Sequence, residues 1–244
     1  MNEIVLSFDI EWACAEVVAD VVRLLEERNL RATFFCTHPG IEVADHERSL
    51  HPNFFRDGNT QVAEAHSIPD ELEFYRAVVG AARTLYPEAT GVRSHRRYYT
   101  PLVEQVLREN DLQYDSTAME PLTPGLAPGW LGDNLLSLPI YFMDHWDLGF
   151  QATGFELARL RLDEPGLKVV DFHPNLIFLN AATIGQYEQS RPYYRDPDRL
   201  RAARHSGRGV RTLFLDLLDK LAKSPVPLRT LGEINAECRC ALTI

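Results

Sequence analysis

The sequence predicts an α/β fold, a distorted (β/α) barrel with about seven parallel strands. Two observations predict it. Short apolar runs rich in β-branched and aromatic residues alternate with amphipathic patterns of helical period, as in parallel α/β proteins. No linker and no change of composition divides the 244 residues, so we expect a single domain over residues 1–244. A doubly wound open sheet is the alternative closure.

The elements follow from periodicity and from capping residues. Residues 15–27 carry apolar side chains at helical spacing, and Pro69 and Thr100-Pro101 mark the starts of two further helices. Strands are predicted at 4–12, 31–37, 48–51, 90–94, 112–116, 135–142 and 166–172. Helices are predicted at 15–28, 69–86, 101–110, 155–162 and 210–223, with a short one after residue 40. Residues 118–133 and 175–205 are predicted to be long loops, which makes them candidate walls of a site.

The composition restricts the classes of function. The formal net charge is -10, from 25 Lys plus Arg against 35 Asp plus Glu, and no basic stripe is present, which argues against nucleic acid as a partner. The sequence has no signal-peptide pattern and no apolar run long enough to span a bilayer, so we expect a cytoplasmic protein. The four cysteines are scattered and lack a CxxC pair, so we expect mostly reduced thiols.

Side chains that could carry chemistry concentrate at the predicted strand ends. Ser7, Asp9 and Glu11 share one face of the first strand, and two carboxylates there are costly to bury unless a cation meets them. Because sites of parallel α/β folds form at the carboxyl ends of strands, we interpret the strand-end residues as one site rather than as separate caps. These residues, which include four of the eight histidines, are Asp9, Glu11, His51, Arg93, His95, Asp115, Asp144, His145, Asp171 and His173.

Carboxylate and imidazole side chains together suit a divalent metal ion. Glu11 and His51 are the best pair of candidate ligands. Three protein ligands and a water would make a hydrolytic metal site. The candidates for the third ligand are His66, His95, His46 and Glu47.

The remaining strand-end residues suggest roles around such a metal. Asp9 is the candidate base on water, and Arg93 could hold Asp9 ionised and oriented. His173, on a late strand, could face the base across the substrate and protonate the leaving group. The candidates for a substrate pocket, in the sequence FMDHW, are Asp144, His145 and Trp146.

These residues lie in motifs that resemble the polysaccharide deacetylase family, also called the NodB-homology domain or carbohydrate esterase family 4. The motifs, in family order, are SFDIEWA (7–13), ATFFCT (32–37), LHPNF (50–54), GVRSH (91–95), YDST (114–117) and VVDFHPN (169–175). HERSLHPNF, VRSH and VDFHPN together are most similar to the WbmS branch, which is associated with bacterial surface-polysaccharide gene clusters. The resemblance implies a distorted barrel with a divalent metal, usually zinc, that hydrolyses N-acetyl or O-acetyl groups on sugars.

The roles that the resemblance implies by position are base for Asp9, tether of the base for Arg93, acid for His173 and metal ligand for His51. Two positions depart from the family pattern. The usual adjacent aspartate pair is replaced by DIE at residues 9–11, so Glu11 takes the metal role. The position of the usual first metal histidine, four residues before His51, holds Glu47.

The expected function is that of a metal-dependent hydrolase, an amide hydrolase that removes an N-acetyl or other acyl group from a sugar or surface-polysaccharide precursor. The expected cofactor is a divalent metal, zinc before others. The first alternative is a deacetylase-like domain without activity that binds a glycan, and the substitution at Glu47 favours it. The second is a hydrolase of another C–N bond, which removes formyl groups or opens an allantoin-type ring.

Overall fold

The computed structural model describes residues 2–150, 154–225 and 227–241. Within these ranges the strands are β1 (Asn2–Asp9), β2 (Thr33–Cys36), β3 (Glu47–Leu50), β4 (Gly91–Val92), β5 (Tyr114–Asp115), β6 (Gly129–Leu131), β7 (Leu135–Ser137), β8 (Ile140–Met143) and β9 (Gly166–Phe172). The α-helices are α1 (Ala15–Glu26), α2 (Glu71–Leu85), α3 (Pro101–Glu109), α4 (Asp144–Phe150), α5 (Pro174–Leu179), α6 (Ile184–Ser190), α7 (Pro197–Ala202), α8 (Val210–Leu221) and α9 (Leu231–Cys240). Short 3-10 turns lie at Ala65–Ser67, His95–Arg97, Leu157–Leu160 and Arg191–Tyr193.

The strands form one curled sheet, a half-barrel, in the order β6-β7-β5-β4-β3-β2-β1-β9-β8. Neighbouring strands are parallel except for β6 and β7. The predicted fold class is confirmed, but the strand count changes from about seven to nine within the described ranges. Pro139, which lacks an N–H, separates β7 from β8 inside the predicted strand 135–142, and the predicted loop 118–133 contains β6.

A strand-like segment after β5 covers the outer edge of β8. The backbone N–H of Ile140 donates to the carbonyl of Ala118 (2.8 Å), and the N–H of Glu120 donates to the carbonyl of Ile140 (2.9 Å). These bonds satisfy backbone groups that a terminal strand would otherwise expose. The two ends of the curled sheet therefore approach closure.

Strand β1 lies between β2 and β9 and divides its side chains between two layers. Leu6, Phe8 and Ile10 pack in the core between the sheet and the outer helices. Val5 belongs to a second cluster, formed inside the half-barrel with residues of β2, β9 and α9. Side chains of a strand alternate, so Asp9 shares the inner face with Val5.

Helix α9 covers the amino ends of the strands. The N–H of Leu231 donates to Thr33 Oγ1 (2.9 Å), and the N–H of Gly232 donates to Glu47 Oε2 (2.9 Å). Thr33 and Glu47 are the first residues of β2 and β3. The helix therefore lies at the end of the barrel opposite to the carboxyl ends of the strands.

Several predictions of helix and loop are wrong. The predicted loop 175–205 holds α5, α6 and α7, and the final segment, where no element is predicted, forms α9. Thr183, Asp196 and Thr230 each cap one of these helices by accepting a backbone N–H three residues later. Helices α5, α6 and α7 are 6 or 7 residues long, too short to show a helical period. The predicted helix 155–162 is only the 3-10 turn Leu157–Leu160.

The described ranges contain no helix that is both long enough and apolar enough to cross a membrane.

Candidate active site

The candidate active site lies at the carboxyl ends of β1, β3, β4, β8 and β9. The parallel register of these strands brings residues from distant parts of the sequence to one edge of the sheet. The predicted strand-end residues that meet there are Asp9, Glu11, His51, Arg93, His95, Asp144, Asp171 and His173.

Arg93 is fully buried and holds two carboxylates. Its Nη1 donates to Asp9 Oδ1 (2.8 Å) and to Asp171 Oδ1, and its Nε donates to the carbonyl of Ser116 (3.0 Å). The guanidinium also lies over the ring of Phe35, 4.1 Å from its centroid. Burial alone would raise the pKa of Asp9, but the charges of Arg93, His51 and His173 together outweigh burial, and the pKa is lowered. Asp9 is therefore held as a carboxylate.

Asp171 is the member of the site to which the sequence gives no role. Its Oδ1 accepts from Ser7 Oγ (2.7 Å) as well as from Arg93, while its Oδ2 is buried without a hydrogen-bond partner in the described ranges. Burial raises the pKa of Asp171 to about 7, although Arg93 opposes the rise. The position one strand residue before Phe172-His173 was the available signal, because it faces the same side as His173.

Glu11, His51 and His95 form a cluster whose potential ligand atoms all lie within 4.8 Å of one another. His95 Nδ1 is 3.1 Å from Glu11 Oε1, and His51 Nε2 is 3.5 Å from the same oxygen. Burial would raise the pKa of Glu11, but its contacts with the two histidines hold it well below the usual range. The cluster therefore offers one ionised carboxylate and two imidazoles.

The tautomer of His51 suits a metal ligand. Its Nδ1 donates to the carbonyl of Arg93 (2.8 Å), which can only accept, so Nε2 is left with a free lone pair when the ring is neutral. Nε2 is buried and has no hydrogen-bond partner among the described residues. An orphaned buried imidazole nitrogen beside a carboxylate fits a divalent metal ion, and the donor set of Glu11, His51 and His95 has the composition of known zinc sites.

The other candidates for the third ligand lie elsewhere. His66 stands on the surface turn Ala65–Ser67, with 68% of its side chain exposed and its nearest acid, Asp57, 3.7 Å away. The ring of His46 packs near that of Phe34, 5.4 Å between centroids. The prediction of His66 as a metal ligand is therefore not supported by its position.

Glu47 lies at the amino end of β3, four residues before His51, and belongs to the opposite end of the barrel. Its carboxylate accepts hydrogen bonds from Thr33 Oγ1 (2.7 Å), Tyr114 OH (2.8 Å) and the N–H of Gly232 (2.9 Å). These contacts connect β2, β3, β5 and α9. Glu47 therefore lies at the amino ends of the strands, apart from the cluster around Glu11.

Asp144 fixes the orientation of the His173 side chain. Its Nδ1 lies 2.7 Å from Asp144 Oδ1, and its backbone N–H donates to Asp144 Oδ2 (2.9 Å). Its other nitrogen, Nε2, faces Glu11 at 3.9 Å. Burial would lower the pKa of His173, but Asp144, Asp171 and Asp9 raise it to about 10. Asp144, predicted to shape the pocket, is itself buried, so its contact is with His173 and not with a substrate.

A pocket of about 420 Å³ opens above these residues. This volume lies in the range of small-molecule sites. His145 and Trp146 line it, as the sequence predicts, together with Asp9, Glu11, His95 and His173. Tyr187, Arg191 and Tyr194 also line it and belong to the segment 175–205, which the sequence makes a candidate wall. The high frequency of Tyr and Arg after residue 186 is the sequence feature that indicates this part of the wall. The wall residues to which the sequence gives no role are Trp12, Arg96, Arg97, Met143 and Phe150.

The backbone is strained beside the cluster. Glu11 has φ 48°, and Arg96 and Arg97 both have φ 55°, in the left-handed region that side chains with a Cβ rarely adopt. Each such residue costs roughly 1–3 kcal/mol and persists where the surrounding structure determines it. Three of them around one pocket are typical of a functional site.

Comparisons with known proteins identify the family and the fold. A model of the family described as "WbmS-like: Polysaccharide deacetylase" matches residues 6–191. The chain is similar to the solved structure of WbmS from Bordetella bronchiseptica, a candidate polysaccharide deacetylase involved in O-antigen biosynthesis, with 26% identity over 90% of each chain and a TM-score of 0.75. A candidate polysaccharide deacetylase from Mycobacterium smegmatis shares the fold, with 18% identity, 98% of this chain and 91% of that chain covered, and a TM-score of 0.55. No curated protein matches.

Proposed function

The chain belongs to the WbmS-like polysaccharide deacetylase family, and from this premise we propose that it is a metal-dependent hydrolase that removes an N-acetyl group from a sugar. The observation that carries the proposal is the cluster of Glu11, His51 and His95, of which Glu11 and His95 line the same pocket as Asp9 and His173. Ligands, base and acid then share one space, which is what amide hydrolysis requires.

Glu11, His51 and His95 would hold the metal, with zinc as the expected ion. Burial lowers the pKa of His51, but Asp9 and Glu11 together outweigh it and raise the pKa. The negative potential that favours a proton at this imidazole favours a metal cation there equally. When bound, a divalent metal would polarise the acyl carbonyl and make water easier to deprotonate.

The protein's own residues then move the protons. Asp9, held ionised by Arg93, accepts the proton of the attacking water. His173, held protonated through Asp144, gives a proton to the departing nitrogen. Because Asp144 occupies Nδ1, the proton to be transferred is the one on Nε2, which faces the pocket.

The substrate class follows from the relative with 26% identity. Since that protein is described as involved in O-antigen biosynthesis, we propose a surface-polysaccharide precursor as the substrate. The aromatic side chains of Trp12 and Trp146 in the pocket wall suit the apolar face of a sugar ring.

The test is a panel of N-acetyl, O-acetyl and N-formyl sugars incubated with metal-reconstituted protein, with release of acetate or formate as the readout. We expect acetate from at least one N-acetyl sugar, and its loss in Asp9→Asn. The matched control is Asp57→Asn, whose carboxylate is fully exposed and outside the pocket.

Other outcomes separate the alternatives. Formate release alone would favour the hydrolase of another C–N bond. Sugar binding with no more product than Asp9→Asn forms would favour the glycan-binding domain without activity.

A further inference from the structure

Three arginines, Arg96, Arg97 and Arg191, line the pocket whose floor carries Asp9 and Glu11. The chain as a whole is acidic, with a formal net charge of -10. A group of cations at the wall of a substrate pocket in an acidic protein calls for a reason, because exposed arginines elsewhere on this chain largely pair with acids.

The three arginines differ in what they contact. Arg191 pairs with Glu188 (Nε to Oε2, 2.7 Å), and the guanidinium of Arg96 lies over the ring of Phe55, 5.1 Å from its centroid. Arg97 is exposed, and within residues 2–150, 154–225 and 227–241 its guanidinium has no hydrogen-bond, ion-pair or ring partner. Its five N–H donors are therefore free to bind a ligand in the pocket, and their fork matches a carboxylate or a phosphate.

The turn that carries Arg97 begins at His95, a member of the cluster of Glu11, His51 and His95. Arg96 and Arg97 are both left-handed, and the turn is held by bonds from the N–H of Arg97 to the carbonyl of Ser94 (2.9 Å) and from the N–H of Tyr98 to that of His95 (3.3 Å). Strain of this kind persists at ligand-binding positions. Arg97 follows the candidate ligand His95 by two residues in the sequence, and both line the pocket.

We propose, resting on the function proposed above, that the pocket takes an acidic sugar and that Arg97 binds its carboxylate or phosphate group. Arg96, Arg97 and Arg191 stand in the pocket wall, so the charged group lies at the arginine side of the pocket. The acyl group is then directed to the floor, toward Asp9 and His173. Arg97 thus selects the substrate and also sets its orientation.

The test measures binding and hydrolysis with three probes: N-acetylglucosaminuronic acid, N-acetylglucosamine 1-phosphate and neutral N-acetylglucosamine. Calorimetric titration of the purified protein should show at least one acidic probe binding about tenfold or more tightly than the neutral one, the range of a hydrogen bond to a charged group. Preference for the first probe identifies a uronic acid, and preference for the second identifies a phosphate-linked sugar.

Variants assign the preference to a residue. Arg97→Gln should remove it, Arg97→Lys should retain part of it, and Arg23→Gln should retain all of it. Arg23 is an exposed arginine of α1 outside the pocket, so its variant makes the same change in net charge. Equal binding of neutral and acidic probes, or an unchanged preference in Arg97→Gln, would overturn the proposal.

The same experiment distinguishes this proposal from the proposed function. Hydrolysis of the neutral probe as fast as the acidic ones would support the deacetylase activity and contradict the role of Arg97 in substrate selection. Binding of an acidic probe that depends on Arg97, without any hydrolysis, would support the anion site and contradict the proposed hydrolase activity.

Discussion

His173 is a buried histidine that carries a raised pKa because three carboxylates surround it. Asp144 contributes most to this rise, both as a charge and as the hydrogen-bond acceptor at Nδ1, and the pKa reaches about 10 although burial opposes it. A histidine that acts as an acid must be protonated before the reaction. The contact between Asp144 and His173 therefore extends to higher pH the range over which His173 is protonated.

The first prediction concerns Asp144→Asn. Activity that needs protonated His173 is lost as the pH rises through the pKa of that residue. Removal of the carboxylate lowers this pKa, so the alkaline limb of kcat/KM should move to lower pH by about one unit or more. A pH–rate profile beside Asp57→Asn measures the shift. An alkaline limb that stays in place would mean that His173 is not the acid.

Among the elements, the turn His95–Arg97 holds two arginines at the pocket wall in a backbone conformation that lowers stability. Left-handed backbone at Arg96 and Arg97 disfavours any side chain with a Cβ, whereas glycine adopts it freely. The turn keeps two arginines there and so positions them at the pocket wall. A cost in stability is consistent with a site that is selected for binding.

The second prediction compares Arg97→Gly with Arg97→Ala. Both remove the guanidinium, but only glycine relieves the left-handed strain, so Arg97→Gly should have a free energy of unfolding roughly 1 kcal/mol higher than Arg97→Ala. Urea unfolding of the two variants gives the difference. Equal stability would show that the strain is absent at this position.

The third prediction concerns Glu47 and the attachment of α9. Glu47→Ala removes the acceptor of the Thr33 hydroxyl and of the Gly232 N–H, and one of the two partners of the Tyr114 hydroxyl, which also contacts Ser49 Oγ (2.6 Å). The free energy of unfolding should fall by roughly 1–3 kcal/mol, while metal content stays as in the wild type. The control is Glu42→Ala, an exposed glutamate in the preceding loop. Loss of metal with unchanged stability would show that Glu47 is a metal ligand.

At the scale of the whole molecule, the sequence predicts what periodicity and strand ends can encode. The alternation of strands and helices gives the barrel class, and the phase of the first strand places Asp9 on the inner face. The position of Asp144 against His173 depends on the pairing of β8 with β9, which no local pattern reveals. The register also decides between Glu47 and His95, because sequence spacing alone does not show which end of the barrel a residue occupies.

Short capped elements are the other part that the sequence does not reveal. Helices α5, α6 and α7 have too few residues for an apolar stripe, and their caps are visible only once the helices are known. Their segment supplies Tyr187, Arg191 and Tyr194 to the pocket. The walls of the site were therefore less predictable than its floor.

Glu11, His51 and His95 are proposed to hold a metal ion. The direct test is the metal content of the purified and reconstituted protein by elemental analysis, for the wild type and for Glu11→Ala, His51→Ala and His95→Ala. The matched control is His66→Ala, because His66 is exposed and lies outside the cluster.

We expect near-stoichiometric metal, with zinc preferred, in the wild type and in His66→Ala, and its loss in the three cluster variants. Wild-type protein that binds no metal after reconstitution would show that the cluster is not a metal site, and so would a metal that His95→Ala retains and His66→Ala loses.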